Sequence, residues 1–537
     1  LSAQGRIGTS VSVLNQESHG WSTVAGFPSP AYNEVVMEPS IARQGEPTAQ
    51  RKNFLPIFAL IAASVVFYFY RLSDVPLVES DEASYARIVM SSLKSGSLLN
   101  FTFEGQPVLN RPPLYLWLAM GSVATLGEQE LAFRLPGVLL GILDVVLVWA
   151  IAYRLSERVS VAILAGVTLL VSPLMYGYVR EVRLDSGLIA SMLAALLGVI
   201  VGWRQPRWLR LVLPAMAVGF LFKSVAIVLA VPVIAVYCLA YRQWGWTRRR
   251  ELWIGAVMAA AIALPWPFLQ YLRHGADFFQ SFFFHDVWLR ATEGFGNRPR
   301  GAADYLLVLW QFNQPWTALA GLLLLLLGFL AFRRVRRQLQ WRHLMAPLGA
   351  MVTIIAVFTV AKTRVPTYIL PALPFAAMFL AETVVQLYRA VHPRYRQALA
   401  VMMVACLVLG AVFSRRIIGQ LVNPFHYDQR EIGLWLRENR DPRVPLYLVN
   451  WPYHSAIRYY GKTDLISLML PQSSGRSLPA PFYVVLGPTV DPTFGSQGDT
   501  PELARRGLRV LFRGPYLRMF QGAADLTLPY PQDDSAR

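Results

Sequence analysis

Long apolar runs recur along most of this chain, and they limit its fold more than any other feature. Each is close to the length of a helix that crosses a bilayer, about 20 residues. Backbone amides and carbonyls find no water inside lipid, so such runs become helices. Apolar residues make up 55% of the sequence, charged residues 15%, and mean hydropathy is +0.39. We therefore predict an α-helical polytopic membrane protein with about eleven transmembrane helices, at residues 54–70, 131–152, 159–179, 186–202, 208–222, 225–241, 252–272, 315–332, 344–361, 366–387 and 398–414.

Arginine clusters indicate the orientation of these helices. With a cytoplasmic N-terminus, nearly every strong arginine cluster falls in a short loop on the cytoplasmic side, as the positive-inside rule requires. Residues 208–241 carry arginines at both ends, which predicts two crossings with Lys223 and Ser224 at the outer turn. This loop bias explains the net charge of +18. Nucleic-acid binding would need a basic face on a soluble fold, so we predict no nucleic-acid partner.

The regions outside the helices suggest three parts. We predict a disordered cytoplasmic N-terminus at residues 1–52, a transmembrane domain at residues 53–415, and a small extracytoplasmic α/β domain at residues 416–537 with a disordered end. The transmembrane domain includes a long outer loop at residues 71–130. Within that loop, residues 114–126 are short for a span and predict an interfacial helix.

The C-terminal part has the sequence signals of a mixed α/β fold. Residues 428–440 have apolar positions spaced for one face of a helix. Residues 445–449, 481–486 and 508–512 are rich in β-branched and aromatic side chains, which predicts strands.

Charged side chains gather in the loops predicted to face outward. Asp81 and Glu82 follow the first apolar run, where two adjacent carboxylates are costly near lipid unless they are used. The alternative is a solvated helix start, because acids favour a first turn. Lys and Arg suit a phosphate or pyrophosphate, and a carboxylate among them suits a general base. The other candidates in these loops are Arg111, Arg183, Asp185, Lys223, His285, Asp286, Lys362, Arg364 and Tyr368.

Several short motifs, in matching order, resemble the GT-C class of polyprenyl-phosphate-sugar glycosyltransferases. The nearest branch is the bacterial aminoarabinose (lipid A) transferases, which are related to protein O-mannosyltransferases. The resemblance covers roughly residues 54–387. The motifs are the acidic pair followed by Tyr85-Ala86, then Gly105-Gln106-Pro107, Pro112-Pro113-Leu114, Arg134-Leu135-Pro136, Phe220-Leu221-Phe222-Lys223 and the segment from Lys362 to Pro371.

The resemblance implies an inverting sugar transfer from an undecaprenyl-phosphate carrier, at the periplasmic face of a bacterial inner membrane. It implies that Asp81 and Asp185 line the active site. It also implies that Lys223, His285, Lys362 and Tyr368 surround the carrier phosphate. Family members near the aminoarabinose transferases usually have Glu-Lys before the paired prolines, whereas this chain has Asn110 and Arg111. Arg111 keeps the positive charge of the usual Lys. Asn110 lacks the carboxylate of the usual Glu, which could contact a metal or an amino sugar.

We therefore predict a glycosyltransferase that acts on a lipid, glycan or protein acceptor. Asp81, Glu82 and Asp185 are the predicted catalytic carboxylates, and Arg111, Arg183, Lys223, His285, Lys362, Arg364 and Tyr368 are predicted to bind substrate. No cofactor is assigned, and a divalent metal is left open.

Two other functions stay open from the sequence. One is a transporter or flippase for a charged lipid or solute, which would place ionisable groups near the middle of the bilayer. Asp144 is the obvious mid-helix acid, and a buried, hydrogen-bonded helix contact is the simpler interpretation of it. The other is a non-catalytic adaptor whose outer tail binds a partner.

Overall fold

A computed structural model describes residues 55–78, 81–289, 292–293, 303–331, 339–421, 425–449, 454–469, 476–486 and 507–527. These residues belong to one unit, Arg51–Arg537. The predicted disordered segments at residues 1–52 and at the C-terminal end lie outside the described residues.

Helices make up most of the described chain. In chain order they are α1 Leu55–Phe69, α2 Asp81–Ser95, α3 Leu114–Leu126, α4 Glu130–Ser156, α5 Val159–Leu170, α6 Pro173–Val179, α7 Asp185–Gly202, α8 Val212–Lys223, α9 Ala230–Tyr241, α10 Arg250–Ala263, α11 Pro265–His274, α12 Ala276–Phe279, α13 Asp304–Phe312, α14 Trp316–Ala331, α15 Trp341–Val360, α16 Leu373–Ala390, α17 Pro393–Leu421, α18 Phe425–Asn439 and α19 Ser455–Gly461. Turns of 3₁₀-helix lie at Pro206–Leu211, Ser224–Leu229, Gly245–Arg248 and Pro366–Ala372, and a π-helix spans Gln280–Leu289.

Many of these helices suit a membrane. By length and composition, seven helical segments of the described chain are long and apolar enough to cross a bilayer. Helices α5 and α6 are bent by 62° relative to each other, and they add an eighth segment if the pair is counted as one span. Three shorter apolar helices lie at Leu55–Phe69, Leu114–Leu126 and Trp316–Gly328. The predicted total of eleven spans stays a prediction.

The segment Pro206–Tyr241 is divided into two antiparallel arms, as predicted. Ser224 has φ +54°, which breaks the helix after Lys223. Lys223 contacts Asp185 at the start of α7. At the other end, the ring of Tyr241 lies 5.4 Å from that of Trp203, just beyond α7. Helix α8 therefore runs back along α7, and α9 returns in the direction of α7.

The arginine-bearing helix ends meet at the end of the bundle opposite Lys223. Arg204 lies 3.5 Å from Glu157, and Arg158 lies 3.8 Å from Glu382. The guanidinium of Arg342 lies 5.6 Å from the ring centre of Tyr241. Arginines from three separate connections thus share one end, which agrees with the predicted one-sided distribution.

The predicted outer loop at residues 71–130 contains α2, a short hairpin and α3. The hairpin pairs β1 Thr102–Phe103 with β2 Gln106–Pro107 in antiparallel register. Its turn residues Glu104 and Gly105 have φ +54° and +79°, the left-handed geometry that suits a two-residue hairpin. Buried apolar residues of α2 and α3 form one core cluster that anchors the loop to α4, including Tyr85, Ala86, Tyr115, Leu116 and Phe133.

The C-terminal part contains α18, α19 and the strands β3 Leu446–Val449, β4 Ile466–Leu468, β5 Ser477–Leu478, β6 Phe482–Leu486, β7 Leu508–Arg513, β8 Arg518–Gly522 and β9 Leu526–Thr527. Five of these strands form a mixed sheet in the order β4-β3-β6-β8-β7. Strands β3 and β6 are parallel and fully buried, while β8 pairs antiparallel with β6 and β7. Helix α17 continues to Leu421, so the boundary predicted at residues 415/416 falls inside a helix.

Side-chain contacts join this part to the helices near the predicted site. The hydroxyl of Tyr460 donates to Glu130 at 3.0 Å and accepts from the backbone amide of Leu77 at 2.8 Å. Lys462 lies 2.8 Å from Glu128. The C-terminal part is therefore attached to the same end of the bundle as Asp81.

Candidate active site

A cavity of about 380 Å³ opens at the end of the bundle where α2, α7 and α8 meet the turn at Pro366–Ala372. Its walls come from segments that are far apart in sequence, and apolar side chains of α7, α15 and the turn after it form part of its lining. The charged and aromatic side chains predicted for the site that line this cavity are Asp81, Arg111, Arg183, Asp185, Lys223 and Tyr368.

Asp185 and Lys223 form the deepest charged pair in the cavity. Asp185 is the first residue of α7 and Lys223 the last of α8, so each charge matches the partial charge of its helix end. The ammonium lies 2.5 Å from the Asp185 carboxylate and 5.4 Å from the ring centre of Tyr368. Asp185 is almost fully buried, while Lys223 is partly exposed to the cavity.

Asp81 is the more accessible of the two cavity carboxylates. It is the first residue of α2, and its side chain is 45% exposed. Arg183 lies 3.4 Å from Asp81 and 2.6 Å from Glu181, and its guanidinium lies over the ring of Tyr178. Burial opposes the charge of Arg183, but Glu181, Asp185 and Asp81 together raise its pKa. Arg183 therefore stays a cation beside Asp81.

Glu181 lies behind Arg183. Burial raises the pKa of Glu181 although Arg183 donates to it at 2.6 Å. Its carboxylate is therefore held by Arg183 in a place that water does not reach easily.

Arg111 also lines the cavity, next to Tyr85 of α2. Its guanidinium carbon is 5.6 Å from the ring centre of Tyr85, and Pro112 lines the cavity beside it. Tyr85 is buried, and burial raises its pKa to about 12, so the ring stays a neutral phenol under Arg111. A cation over an aromatic face is stabilised by the ring quadrupole.

Glu82 points away from the cavity, contrary to the catalytic role predicted for it. The residue is 2% exposed. Its two oxygens accept from Arg134 at 2.7 and 2.8 Å and from the backbone amides of Val78 and Val182. With both oxygens occupied inside protein, Glu82 is in a position to hold structure rather than to touch a substrate.

Three further predicted residues do not line the cavity. His285 is exposed in the π-helix, and the side chain of Asp286 lies outside the described residues. Lys362 is exposed, although its neighbours Ala361 and Thr363 line the cavity. Arg364 donates to the carbonyl of Thr359 at 2.8 Å, which holds it at the end of α15.

Some residues at the site were not assigned a role from the sequence. Arg134, within the apolar helix α4, is the partner of Glu82, and an arginine inside a long apolar run was the signal for it. Tyr85 supports Arg111, and no spacing in the sequence links these two residues. Glu181 supports Arg183 from two residues earlier in the chain, so here the short spacing was an available signal.

The cavity carboxylates do not suit a resident divalent metal. Asp185 is paired with Lys223, and Asp81 with Arg183. In the described part of the chain, no three His, Cys, Asp or Glu side chains are grouped to hold an ion. The charges of Asp81 and Asp185 are therefore balanced by side chains of the protein itself.

Asp144 is buried in α4, as predicted, but its hydrogen bonding differs from the prediction. Its exposure is 0%, and among the described residues neither carboxylate oxygen has a hydrogen-bond partner. It is not one of the residues that line the cavity.

Comparison with known proteins gives the same assignment as the motifs. The family model of dolichyl-phosphate-mannose-protein mannosyltransferase matches residues 110–268. An undecaprenyl phosphate-alpha-4-amino-4-deoxy-L-arabinose arabinosyl transferase of Edwardsiella ictaluri is 28% identical over 345 residues, which cover 60% of this chain and 58% of the relative. A second transferase of this description, from Pseudomonas fluorescens, is 26% identical and covers 76% of this chain and 69% of the relative. The match to the Edwardsiella ictaluri transferase thus spans less than three fifths of that protein's length.

A solved structure supports the same fold. The crystal structure of ArnT from Cupriavidus metallidurans bound to undecaprenyl phosphate aligns with a TM-score of 0.65 and 20% identity, covering 89% of this chain and 99% of that protein. Its apo form aligns equally well. The predicted polytopic helical class is therefore confirmed. The chain resembles the aminoarabinose-transferase and protein-mannosyltransferase group of GT-C glycosyltransferases in sequence and has the fold of ArnT.

Proposed function

We propose that this chain is an integral-membrane glycosyltransferase. It transfers a sugar from a polyprenyl phosphate, such as undecaprenyl phosphate, to a lipid, glycan or protein acceptor, with inversion at the anomeric carbon. We place it in a bacterial inner membrane with the cavity facing the periplasm, the side opposite the arginine-bearing helix ends.

One observation carries this proposal: two carboxylates and three cations from distant parts of the chain line a single cavity. Asp81, Arg111, Asp185 and Lys223 come from four separate segments, and Arg183 lies between the two carboxylates. Idle surface charges would not be expected to converge in this way. Cations beside a carboxylate are what an acid–base transfer at a phosphate requires.

The leaving group is a phosphate, and the cations suit it. As the acceptor oxygen bonds to the anomeric carbon, the bond from that carbon to the phosphate oxygen breaks, and its electron pair stays on the phosphate. Arg111 and Lys223 stabilise the charge that develops there, because preorganised cations act strongly where water is excluded. Asp185 holds the Lys223 ammonium in place.

Asp81 is the group that we assign as the base. Its side chain is the more exposed of the cavity carboxylates, so an acceptor hydroxyl or amine has access to it. It takes the proton that the acceptor loses as the new bond forms. Arg183 orients Asp81, and Glu82 acts from behind as a positioning residue through Arg134.

The named relatives support the chemical class of the donor. They are described as acting on an undecaprenyl-phosphate-linked aminoarabinose, and the aligned ArnT structure holds undecaprenyl phosphate. The sequence departs from the usual Glu-Lys at Asn110 and Arg111, both of which line the cavity. We therefore keep the polyprenyl phosphate in the proposal and leave the sugar unassigned.

The test uses purified full-length protein, a radiolabelled polyprenyl-phosphate sugar and a bacterial membrane extract as acceptor. We expect label to move into a new acceptor linkage, and the Asp81→Asn protein to give none. Mass spectrometry of envelope lipids from cells with and without the gene then identifies the transferred sugar by its mass.

The same assay in sealed vesicles separates the proposal from a transporter or flippase. A transporter moves label across the bilayer and leaves its linkage unchanged. Movement of intact donor without a new linkage would overturn the proposal. The relatives reported above are transferases, which favours transfer over transport.

A further inference from the structure

The arginine-rich end of the bundle contains a second cavity, separate from the candidate active site. It has a volume of about 240 Å³ and lies where the ends of α5, α15 and α16 meet. Its lining consists of Arg158, Gln340, Gln386, Arg389 and Ala390. The positive-inside rule assigns this end to the cytoplasm.

We propose that this cavity binds the phosphate headgroup of an anionic membrane lipid. Two arginines face one buried carboxylate there, so the balance of charge is positive. Arg158 lies 3.8 Å from Glu382, a distance longer than a normal hydrogen bond, and Glu382 also accepts from the Gln386 amide at 2.7 Å. Among the described residues, no carboxylate lies within 4.0 Å of Arg389.

The helix ends add to the positive potential. Arg158 is the N-cap of α5 and Gln340 is the N-cap of α15, so two helix N-termini point toward the cavity. Their exposed amides favour an anion. Arg389 lies in the last turn of α16, where its charge offsets the carbonyl end of that helix.

Contacts between the helices hold the cavity in shape. The backbone amide of Gln340 donates to the Gln386 side chain at 2.9 Å, and the Gln386 amide lies 3.4 Å from the Gln340 carbonyl. This pair joins the start of α15 to the end of α16. The helix ends that frame the cavity are therefore held together before an anion binds, which lowers the ordering cost of binding.

The surroundings favour a lipid over a free anion. The cavity lies at the ends of two helices that are long and apolar enough to span a bilayer. Tyr388, beside Arg389, is 41% exposed, and aromatic side chains of this kind are common at headgroup level. Met345 and Val352 are exposed on α15 and seven residues apart, which places apolar surface along one face of the helix leading away from the cavity. Basic recesses between transmembrane helices on the cytoplasmic side are typical sites for anionic lipid headgroups.

The test is a thermal-unfolding titration of the full chain in a neutral detergent. We expect phosphatidylglycerol to raise the unfolding midpoint in a saturable way. Phosphatidylcholine with the same acyl chains, and inorganic phosphate at the same concentration, should not. In the variant Arg158→Gln/Arg389→Gln we expect the apparent affinity for phosphatidylglycerol to fall at least about tenfold.

Arg204→Gln is the matched control. Arg204 lies at the same end of the bundle, is highly exposed and does not line the cavity, so this variant should respond like the wild type. If the double variant does not fold, the single variant Arg389→Gln is the test. Arg389 is exposed, so this variant should fold, and it should still show a weaker response to phosphatidylglycerol. An unchanged response in these variants, an equal response to phosphatidylcholine, or a full response to phosphate alone would overturn the proposal.

Discussion

Glu82 and Arg134 form a bidentate ion pair. The Nε atom of Arg134 donates to Oε1 of Glu82 at 2.7 Å, and Nη2 of Arg134 donates to Oε2 at 2.8 Å. Their side chains are 1% and 2% exposed. Arg134 also donates to the carbonyls of Leu72, Val75 and Pro76, which lie in the segment leading to α2. The pair therefore sets where α2 begins, and with it the position of Asp81.

The first prediction concerns the loss of this pair. Replacing Glu82 by Gln leaves a buried guanidinium without its counter-charge, and removing one partner of such a pair costs about 3–5 kcal/mol. We expect a clear fall in the thermal unfolding midpoint of Glu82→Gln protein. We also expect Glu82→Gln/Arg134→Met to recover part of that loss, since an apolar side chain removes the unpaired charge.

An exposed ion pair in the same region provides the control. Arg71 and Asp74 approach to 2.6 Å, but both are well exposed, so Asp74→Asn should cost less than about 1 kcal/mol. If Glu82→Gln protein is as stable as Asp74→Asn protein, the pair does not have the structural role described here.

The second prediction concerns Asp81. Because its side chain is half exposed to the cavity, Asp81→Asn should leave the fold intact. Loss of a general base lowers rates by about 10²–10⁴-fold, so we expect transfer to fall by at least about 100-fold. Turnover is measured with the labelled donor, and the unfolding midpoint is measured on the same preparation. Wild-type turnover in this variant would remove Asp81 from the mechanism.

The third prediction concerns Lys223 and Asp185. Removing a preorganised group that stabilises transition-state charge costs about 10²–10³-fold in turnover, so Lys223→Gln should lose about that much. Asp185 acts through Lys223, so Asp185→Asn/Lys223→Gln should be no worse than Lys223→Gln alone. Lys462→Gln is the control, because Lys462 pairs with Glu128 outside the cavity and should leave turnover unchanged. Additive losses in the double variant would show that the two residues act separately.

The fourth prediction concerns the pH dependence of the contact between the hairpin and the C-terminal part. Burial opposes ionisation of Glu104, but Arg87 at 2.9 Å and Arg458 at 2.6 Å outweigh it and lower its pKa. In the unfolded protein the pKa of a glutamate is about 4.3, and in the folded protein that of Glu104 is lower. The ionised carboxylate therefore stabilises the fold above the unfolded pKa, and this contribution is lost as the pH falls through the folded pKa. We expect Glu104→Gln to lower the unfolding midpoint at pH 7, and the difference from wild type to shrink below about pH 4.

Glu438→Gln serves as the control for this pH series. Glu438 is an exposed carboxylate in α18, and replacing it should leave the unfolding midpoint unchanged at every pH tested. A difference between Glu104→Gln and wild type that stays constant into acid would contradict the ionic origin of the contact.

Much of the site was predictable because most of its residues are charged, and charged residues are not expected in segments that face lipid. Asp81, Arg111, Arg183, Asp185, Lys223 and Tyr368 were all predicted, and all line the cavity. Glu82, predicted as catalytic beside Asp81, pairs with Arg134 and does not line the cavity, because adjacent residues at the start of a helix point in different directions. His285 and Lys362 lie in the predicted outer segments, yet their side chains are exposed outside the cavity lining.

The sequence by itself determined the membrane class, the grouping of the arginine-bearing loops at one end of the bundle and the chemical types in the site, because hydropathy and charge act on each segment separately. Only the tertiary structure decided which charges pair. Glu82 with Arg134, Asp185 with Lys223 and Arg183 with Asp81 are contacts between segments, set by how the helices pack. No local pattern encodes such a distance, because it depends on the packing of the whole bundle at once.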